Sequence, residues 1–175
     1  MIKFILNPLL VRPMAIVLIA SLMNLSFRNA DVDVTLKAGT NIQLETVSAI
    51  YSETAQAGQM VDFKVTRDIK VDDVVVIPAG TIAKGQISRA EKAKGLGKEG
   101  YVEVRIKSLQ AVDGQEIYLT GGDIYQEGED RQTLAIVLGL VVCILFLTMK
   151  GKNAQVPAGY EVNASVATTT QVSVD

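Results

Sequence analysis

Between residues 33 and 120, apolar side chains recur at every second position in short runs separated by turn residues. This period of two constrains the chain more than any other feature. Val61, Phe63 and Val65 alternate with Asp62, Lys64 and Thr66, and Val102, Val104 and Ile106 alternate with Glu103, Arg105 and Lys107. A helix would scatter such a set around its axis, whereas a strand gathers it on one face, so these runs are expected as half-buried antiparallel strands. Val74-Val75-Val76-Ile77 is continuously apolar and is expected as a more buried strand. Asp113-Gly114 separates Val102–Val112 from Glu116–Thr120, a strong hairpin signal.

A second regularity marks where strands begin. Lys37-Ala-Gly-Thr40, Pro78-Ala-Gly-Thr81 and Pro157-Ala-Gly-Tyr160 each precede an alternating or apolar run. Proline presets φ for the second position of a type I turn and glycine suits the fourth, so the repeat is expected to punctuate chain direction rather than bind a ligand. Strands spaced this regularly predict a mainly β fold, a small antiparallel barrel or sandwich.

Two apolar segments frame this pattern. Residues 1–30 carry Lys3 and Arg12, then an uncharged run from Met14 to Phe27, which fits a signal peptide. Arg28 lies three residues before a cut after Ala30, where a small residue is preferred, so an uncleaved N-terminal anchor helix stays open beside the favoured cleavage. The second segment, Leu134 to Met149, holds 16 uncharged residues between Glu127-Gly-Glu-Asp130 and Lys150-Gly-Lys152. As one helix it reaches roughly 24 Å, short of a hydrocarbon core of about 30 Å. Leu134, Ile136, Val137, Leu140, Val141, Ile144, Leu145 and Phe146 are its expected membrane contacts. The resulting division is residues 1–30 as signal or anchor, 31–130 as a β domain, 131–152 as a late apolar, membrane-associated helix, and 153–175 as C-terminal strands completing the β domain. The lysines after the run favour a crossing, with 153–175 in the cytoplasm. The third turn favours a single compartment and weighs slightly more, since a helix that dips in and returns also places lysines at the interface.

Composition narrows the chemistry. The chain has no histidine and a single cysteine, Cys143, inside the apolar run. That removes the commonest general base, every histidine-assisted nucleophile and any intrachain disulfide, so no catalytic residue, metal site or cofactor is expected. A net charge of −2 gives no global attraction to nucleic acid. Gly95-Leu-Gly-Lys-Glu-Gly100 matches a dinucleotide fingerprint in its letters, but it precedes an alternating strand rather than a helix. It is expected to be a flexible hairpin loop that binds no nucleotide. Lys84, Arg89, Lys92, Lys94 and Lys98 gather positive charge around it as a candidate contact surface for anionic lipid or envelope polymer. No aromatic residue is interleaved with them to stack on bases. The paired acids Asp31/Asp33, Asp72/Asp73 and Glu127/Glu129/Asp130 fit no metal-loop pattern.

The order Ala38-Gly-Thr40, Ser52-Glu-Thr-Ala-Gln-Ala-Gly58, Val76-Ile-Pro-Ala-Gly-Thr81 with Lys84-Gly85, Asp113-Gly114, an apolar insert, and Lys150-Gly-Lys152 with Pro157-Ala-Gly159 resembles a diffuse group of bacterial envelope proteins. In that group a β domain of Pro-Ala-Gly-Thr turns is interrupted late by an apolar, often glycine-zipper, segment. The resemblance covers residues 36–167 and implies a fold, with no catalytic residues to carry over. Here Gly139 is the single glycine of the insert, which favours one helix over a zipper hairpin.

The expected protein is a non-catalytic, membrane-attached module of the bacterial envelope, its β domain in the periplasm. Its expected partners are membrane lipid and an envelope protein partner, cell-wall material or a second copy of itself. Two alternatives are a glycan hydrolase working with carboxylates alone and a subunit of a trans-envelope assembly.

Overall fold

The computed structural model describes residues 32–141 and 148–174. Residues 33–174 form one compact unit. Thirteen strands are present among the described residues: β1 (Val32–Leu36), β2 (Asn41–Thr46), β3 (Ile50–Tyr51), β4 (Met60–Val65), β5 (Ile69–Val71), β6 (Val74–Ile77), β7 (Ile82–Glu91), β8 (Tyr101–Gln110), β9 (Glu116–Thr120), β10 (Ile124–Glu127), β11 (Gln155–Val156), β12 (Glu161–Val166) and β13 (Thr170–Val174). One helix, α1 (Gln132–Val141), lies between β10 and β11.

The fold is mainly β, built on a closed six-stranded antiparallel barrel. Around the wall the order is β8-β7-β4-β2-β12-β9, and β9 returns to β8 through Ser108↔Tyr118 and Leu109↔Ile117. That last pairing decides barrel over sandwich, since it leaves no free edge in the ring. β8 is ten residues long and shares its second edge between β9 at one end and β10 at the other. The C-terminal β12 sits in the wall between β2 and β9, while β11 pairs β3 and β13 pairs β1.

The period of two places the core. Ile42, Leu44 and Thr46 of β2, Phe63 and Val65 of β4, Ala83 and Ile87 of β7, Val102, Val104 and Ile106 of β8, Ile117 and Leu119 of β9, and Ala164 and Val166 of β12 all point inward and are buried. Their alternate neighbours face out, where Lys64 pairs with Glu45 at 2.7 Å and Lys84 with Asp62 at 2.7 Å. Phe63 is the largest fully buried side chain among the described residues. It lies over Gly85, where an added Cβ would come within 2.5 Å of the ring. Burying a ring of this size contributes on the order of 3 kcal/mol.

The run Val74–Ile77 takes a different place from the one its composition suggests. β6 lies in a two-stranded sheet with β5, outside the barrel wall, with Val76 and Ile77 buried and Val74 and Val75 half-buried. Its tight turn runs through Asp72 and Asp73, both at positive φ (50° and 66°). Short acidic side chains tolerate that region better than most, so this acid pair is turn chemistry.

The three repeated turns share one latch. Each spans four residues. Thr81 N–H reaches the Pro78 carbonyl at 3.2 Å, and Thr40 N–H the Lys37 carbonyl at 3.2 Å. Glycine therefore occupies the third position, at positive φ in Gly39, Gly80 and Gly159, rather than the fourth. In every case the turn clasps the last residue of a neighbouring strand. Gly39 N–H donates to Val166, Gly80 N–H to Val65 and Gly159 N–H to Thr46, each at 2.8 Å. The amides of those strand ends donate back to Thr40, Thr81 and Tyr160. The first and third latches are reciprocal, since the turn entering β2 holds the end of β12 and the turn entering β12 holds the end of β2. Thr46, 3% exposed, strengthens the latter: its hydroxyl donates to the Pro157 carbonyl at 2.7 Å and accepts from Tyr160 N–H at 2.9 Å.

Candidate functional site

The apolar run emerges from one place on the barrel unit and comes back to it. Arg131 N–H, at the start of α1, donates to the Gly97 carbonyl at 2.9 Å, and Gly97 N–H donates to the carbonyl of Met149 at 2.8 Å. Lys152 N–H reaches the Glu129 carbonyl at 3.1 Å, Gly128 N–H the Gly100 carbonyl at 2.8 Å, and Gly100 N–H the Lys152 carbonyl at 2.9 Å. Three segments, 94–100, 128–131 and 149–153, are thus laced into a collar. The sequence predicts one helix from Leu134 to Met149, which would set its ends roughly 24 Å apart. Instead α1 is described as far as Val141, Met149 lies outside any helix, and both ends of the run bond Gly97.

Close approach of backbones is what the collar's glycines provide. A Cβ on Gly97 would strike the Arg131 carbonyl group, one on Gly128 the Lys152 carbonyl and one on Gly151 the Lys98 carbonyl. On Gly100 it would come within 2.6 Å of Ser52 Oγ. The fingerprint-like run 95–100 is therefore a crossing point for chains. It is bound at both ends rather than a free hairpin loop, and it opens β8 rather than a helix. Buried Ser52 anchors the collar to β11 by accepting from Ala154 N–H at 2.9 Å, and the Asn153 carboxamide oxygen accepts from Ala93 N–H at 2.8 Å. Sequence reasoning missed Gly128, Gly151, Ser52 and Asn153. The glycines flanking the apolar run at similar distances were the available signal.

Charge rings the same structure. Glu129 bonds Lys152 and, at 3.3 Å, Arg131. Hydrogen bonding from Lys152 first, then from Arg131, holds its carboxyl below the usual carboxylate range. Glu91 is held low mainly by its 2.9 Å hydrogen bond from Lys94, whose ammonium is raised in turn. Tyr125 donates to Glu127 at 2.5 Å, which pushes its phenol up. The Asp130 carboxylate accepts from Gln132 N–H at 2.7 Å, capping the first turn of α1.

The five basic residues singled out in the sequence do not form one patch. Lys94 and Lys98 belong to the collar, and Lys92 lies just before it, after the end of β7. Arg89 lies further back on β7 near Glu103 (3.8 Å), and Lys84 pairs with Asp62 on the barrel wall. Of the expected membrane contacts, Leu134, Ile136 and Val137 are 50%, 46% and 52% exposed on α1. Leu140 and Val141 lie on the last turn of α1, and Ile144, Leu145 and Phe146 fall outside the described residues, as does the expected signal or anchor at 1–30. No helix among the described residues is long and apolar enough to cross a membrane.

No family model matches this chain. No curated protein matches it either. Among solved structures the chain is similar to ComB10 of the Com type IV secretion system of Helicobacter pylori, at 18% identity and a TM-score of 0.45, over 78% of this chain and 89% of that one.

Proposed function

We propose that this is a non-catalytic module of the bacterial cell envelope, held to a membrane by the apolar excursion and presenting its barrel, on the periplasmic side, to a protein partner or cell-wall material. The observation that carries this reading is α1 itself, a helix with large apolar side chains left exposed by the barrel unit, rising from a collar that holds both ends of the apolar run. The Pro-Ala-Gly turns and late apolar insert support grouping the chain with the envelope proteins it resembles.

The acids argue against the hydrolase alternative. Glu91 and Glu129 are each tied to basic side chains, Lys94 for the first and Lys152 and Arg131 for the second. Asp62 and Glu116 line one open hollow of about 350 Å³ beside Ile82 and Ser108. There Asp62 is paired with Lys84, and Glu116 accepts from the Ser108 hydroxyl at 2.5 Å.

Cell fractionation tests the reading, with mass spectrometry reporting whether residues 1–30 have been removed. Processed wild-type chain should sediment with membranes, and Leu134→Asp with Val137→Asp should release it, since a charge within an inserted helix costs about 2.5–3.5 kcal/mol on insertion scales. Processed wild-type chain that is soluble and monomeric without detergent would overturn it.

A further inference from the structure

We infer that the cleft where β3 and β4 part is a docking site for a short extended segment of a partner polypeptide, joined to the barrel unit by main-chain hydrogen bonds. This rests on the protein-partner reading proposed above and names the place and manner of contact.

β2 and β3 form one line against the C-terminal strands because they share a register. Leu44 pairs with Val162, and Tyr51, seven residues on, pairs with Gln155, seven residues back. On the other side of that line β4 follows β2 only as far as Thr46↔Phe63 and the bond from Val47 N–H to the Asp62 carbonyl at 3.1 Å. Beyond it the two strands diverge. The cleft between them holds about 250 Å³ and is walled by Val47, Ala49 and Tyr51 on one side and by Met60 and Asp62 on the other.

Alternation along each strand decides which backbone groups look into this cleft. On β4 the odd residues bond toward β7, as Val65 N–H does to the Thr81 carbonyl at 2.9 Å, so the even ones face β2. Thr66 N–H, bonding the Gln43 carbonyl at 3.0 Å, follows the same parity. Next to β3, Ser52 N–H donates to the Ala154 carbonyl at 3.0 Å on the β11 side, which turns Tyr51 the other way. The N–H and C=O of Met60, the N–H of Asp62 and the N–H of Tyr51 therefore look into the cleft, and among the described residues no hydrogen-bond partner meets them.

An unpaired strand edge is a template for another chain. Met60 offers a donor and an acceptor on one residue, the pair that a facing residue of an antiparallel strand satisfies with its own C=O and N–H. A lipid tail has neither group, and a glycan does not repeat them at the two-residue spacing of a strand. Val47, Tyr51 and Met60 are 48%, 47% and 53% exposed at the rim, where alternate apolar side chains of an added strand find contact. The free edge of β4 spans only about 7 Å from Met60 to Asp62, so those rim contacts supply part of the affinity.

Selection from a phage-displayed library of random linear peptides on the purified full-length chain, followed by hydrogen exchange with the selected peptides, tests the inference. The peptides should slow exchange at the Tyr51, Met60 and Asp62 amides. Met60→Pro should weaken their binding about three- to tenfold, the worth of one hydrogen bond. Thermal unfolding should stay unchanged, because Met60 N–H bonds nothing within the protein and proline is tolerated at the first residue of a strand. Ala49→Phe, which fills the cleft from the other wall, should abolish binding and carries the test if the proline variant unfolds. Peptides that protect another part of the barrel unit and bind both variants as tightly as wild type would overturn the cleft and leave the protein-partner reading standing. A library that yields no saturable binder would overturn the cleft too, whatever fractionation shows of membrane attachment. A wild-type chain that is dimeric where both variants are monomeric would make a second copy the occupant and overturn the partner.

Discussion

Gly80 and Gly128 are the same residue used for opposite reasons, and the contrast separates the barrel's latches from the collar. At Gly80 φ is +88° and nothing lies within 4 Å of where a Cβ would stand. The chain needs a torsion there and has room to spare. At Gly128 φ is not in the left-handed region, yet a Cβ would overlap the Lys152 carbonyl. The latches are torsional devices between strands already paired, so each one reinforces the wall locally. The collar is a steric device in which three distant segments pass within hydrogen-bond distance, and its order depends on all three arriving together.

The sharpest way to break this contrast is to fill the tight site. Gly128→Val should cost about 3 kcal/mol, the upper end for overpacking, and the cost should fall on the collar. Hydrogen exchange at the Gly100 and Lys152 amides should accelerate while that at Val104, in the barrel wall, changes little. Uniform loss of protection in both regions would mean that collar and wall unfold as one and that the contrast is false.

Thr46→Val tests whether the latch of the third turn is as local as its geometry implies. It keeps the shape but leaves Tyr160 N–H and the Pro157 carbonyl short of a partner, so about 1–3 kcal/mol should be lost, seen as a lower midpoint in denaturant unfolding. An unchanged midpoint would show that water replaces the hydroxyl and that the latch holds through the backbone alone.

Gly80→Ala should cost about 1 kcal/mol, the penalty for an L-residue in the left-handed region, with no steric component. If Gly80→Ala proves as damaging as Gly128→Val in the same thermal melt, the distinction between torsion and space fails.

Glu129 should give the smallest effect. Its folded carboxyl lies below the unfolded one, so its contribution is complete above the ordinary carboxylate range and is lost as pH falls through the folded value. Exchange at the Lys152 amide, corrected for its intrinsic pH dependence, should therefore rise on acidification below that range, and Glu129→Gln should flatten the dependence. Because the group is exposed, the melting temperature of the barrel should move little.

Much of the wall was legible in the sequence because the period of two is a local property. Phe63 and Val65, and Val102, Val104 and Ile106, face inward where alternation puts them, and Asp113-Gly114 joins β8 to β9. The four apolar residues of β6 were harder to place. Continuous hydrophobicity says that both faces are covered, and a hairpin lying outside the wall satisfies that as well as a central strand does. Closure was also beyond the sequence's reach. Barrel and sandwich share one strand pattern, and the ring depends on the C-terminal β12 reaching β9 through Ser165↔Thr120 and Val166↔Leu119, pairs between positions far apart in the chain.

The sequence by itself determined the strand faces, the turn positions and the presence of an apolar segment between residues 134 and 149, since each depends on residues within a few positions of one another. Where that segment begins and ends in space was decided only by tertiary structure. Gly97, Gly128 and Gly151 read identically to turn glycines on paper, because a letter records the missing Cβ and not what fills its place. Only folding brings the backbones of Arg131, Lys152 and Lys98 against them, and that crowding turns a long apolar run into an excursion with both ends at one collar.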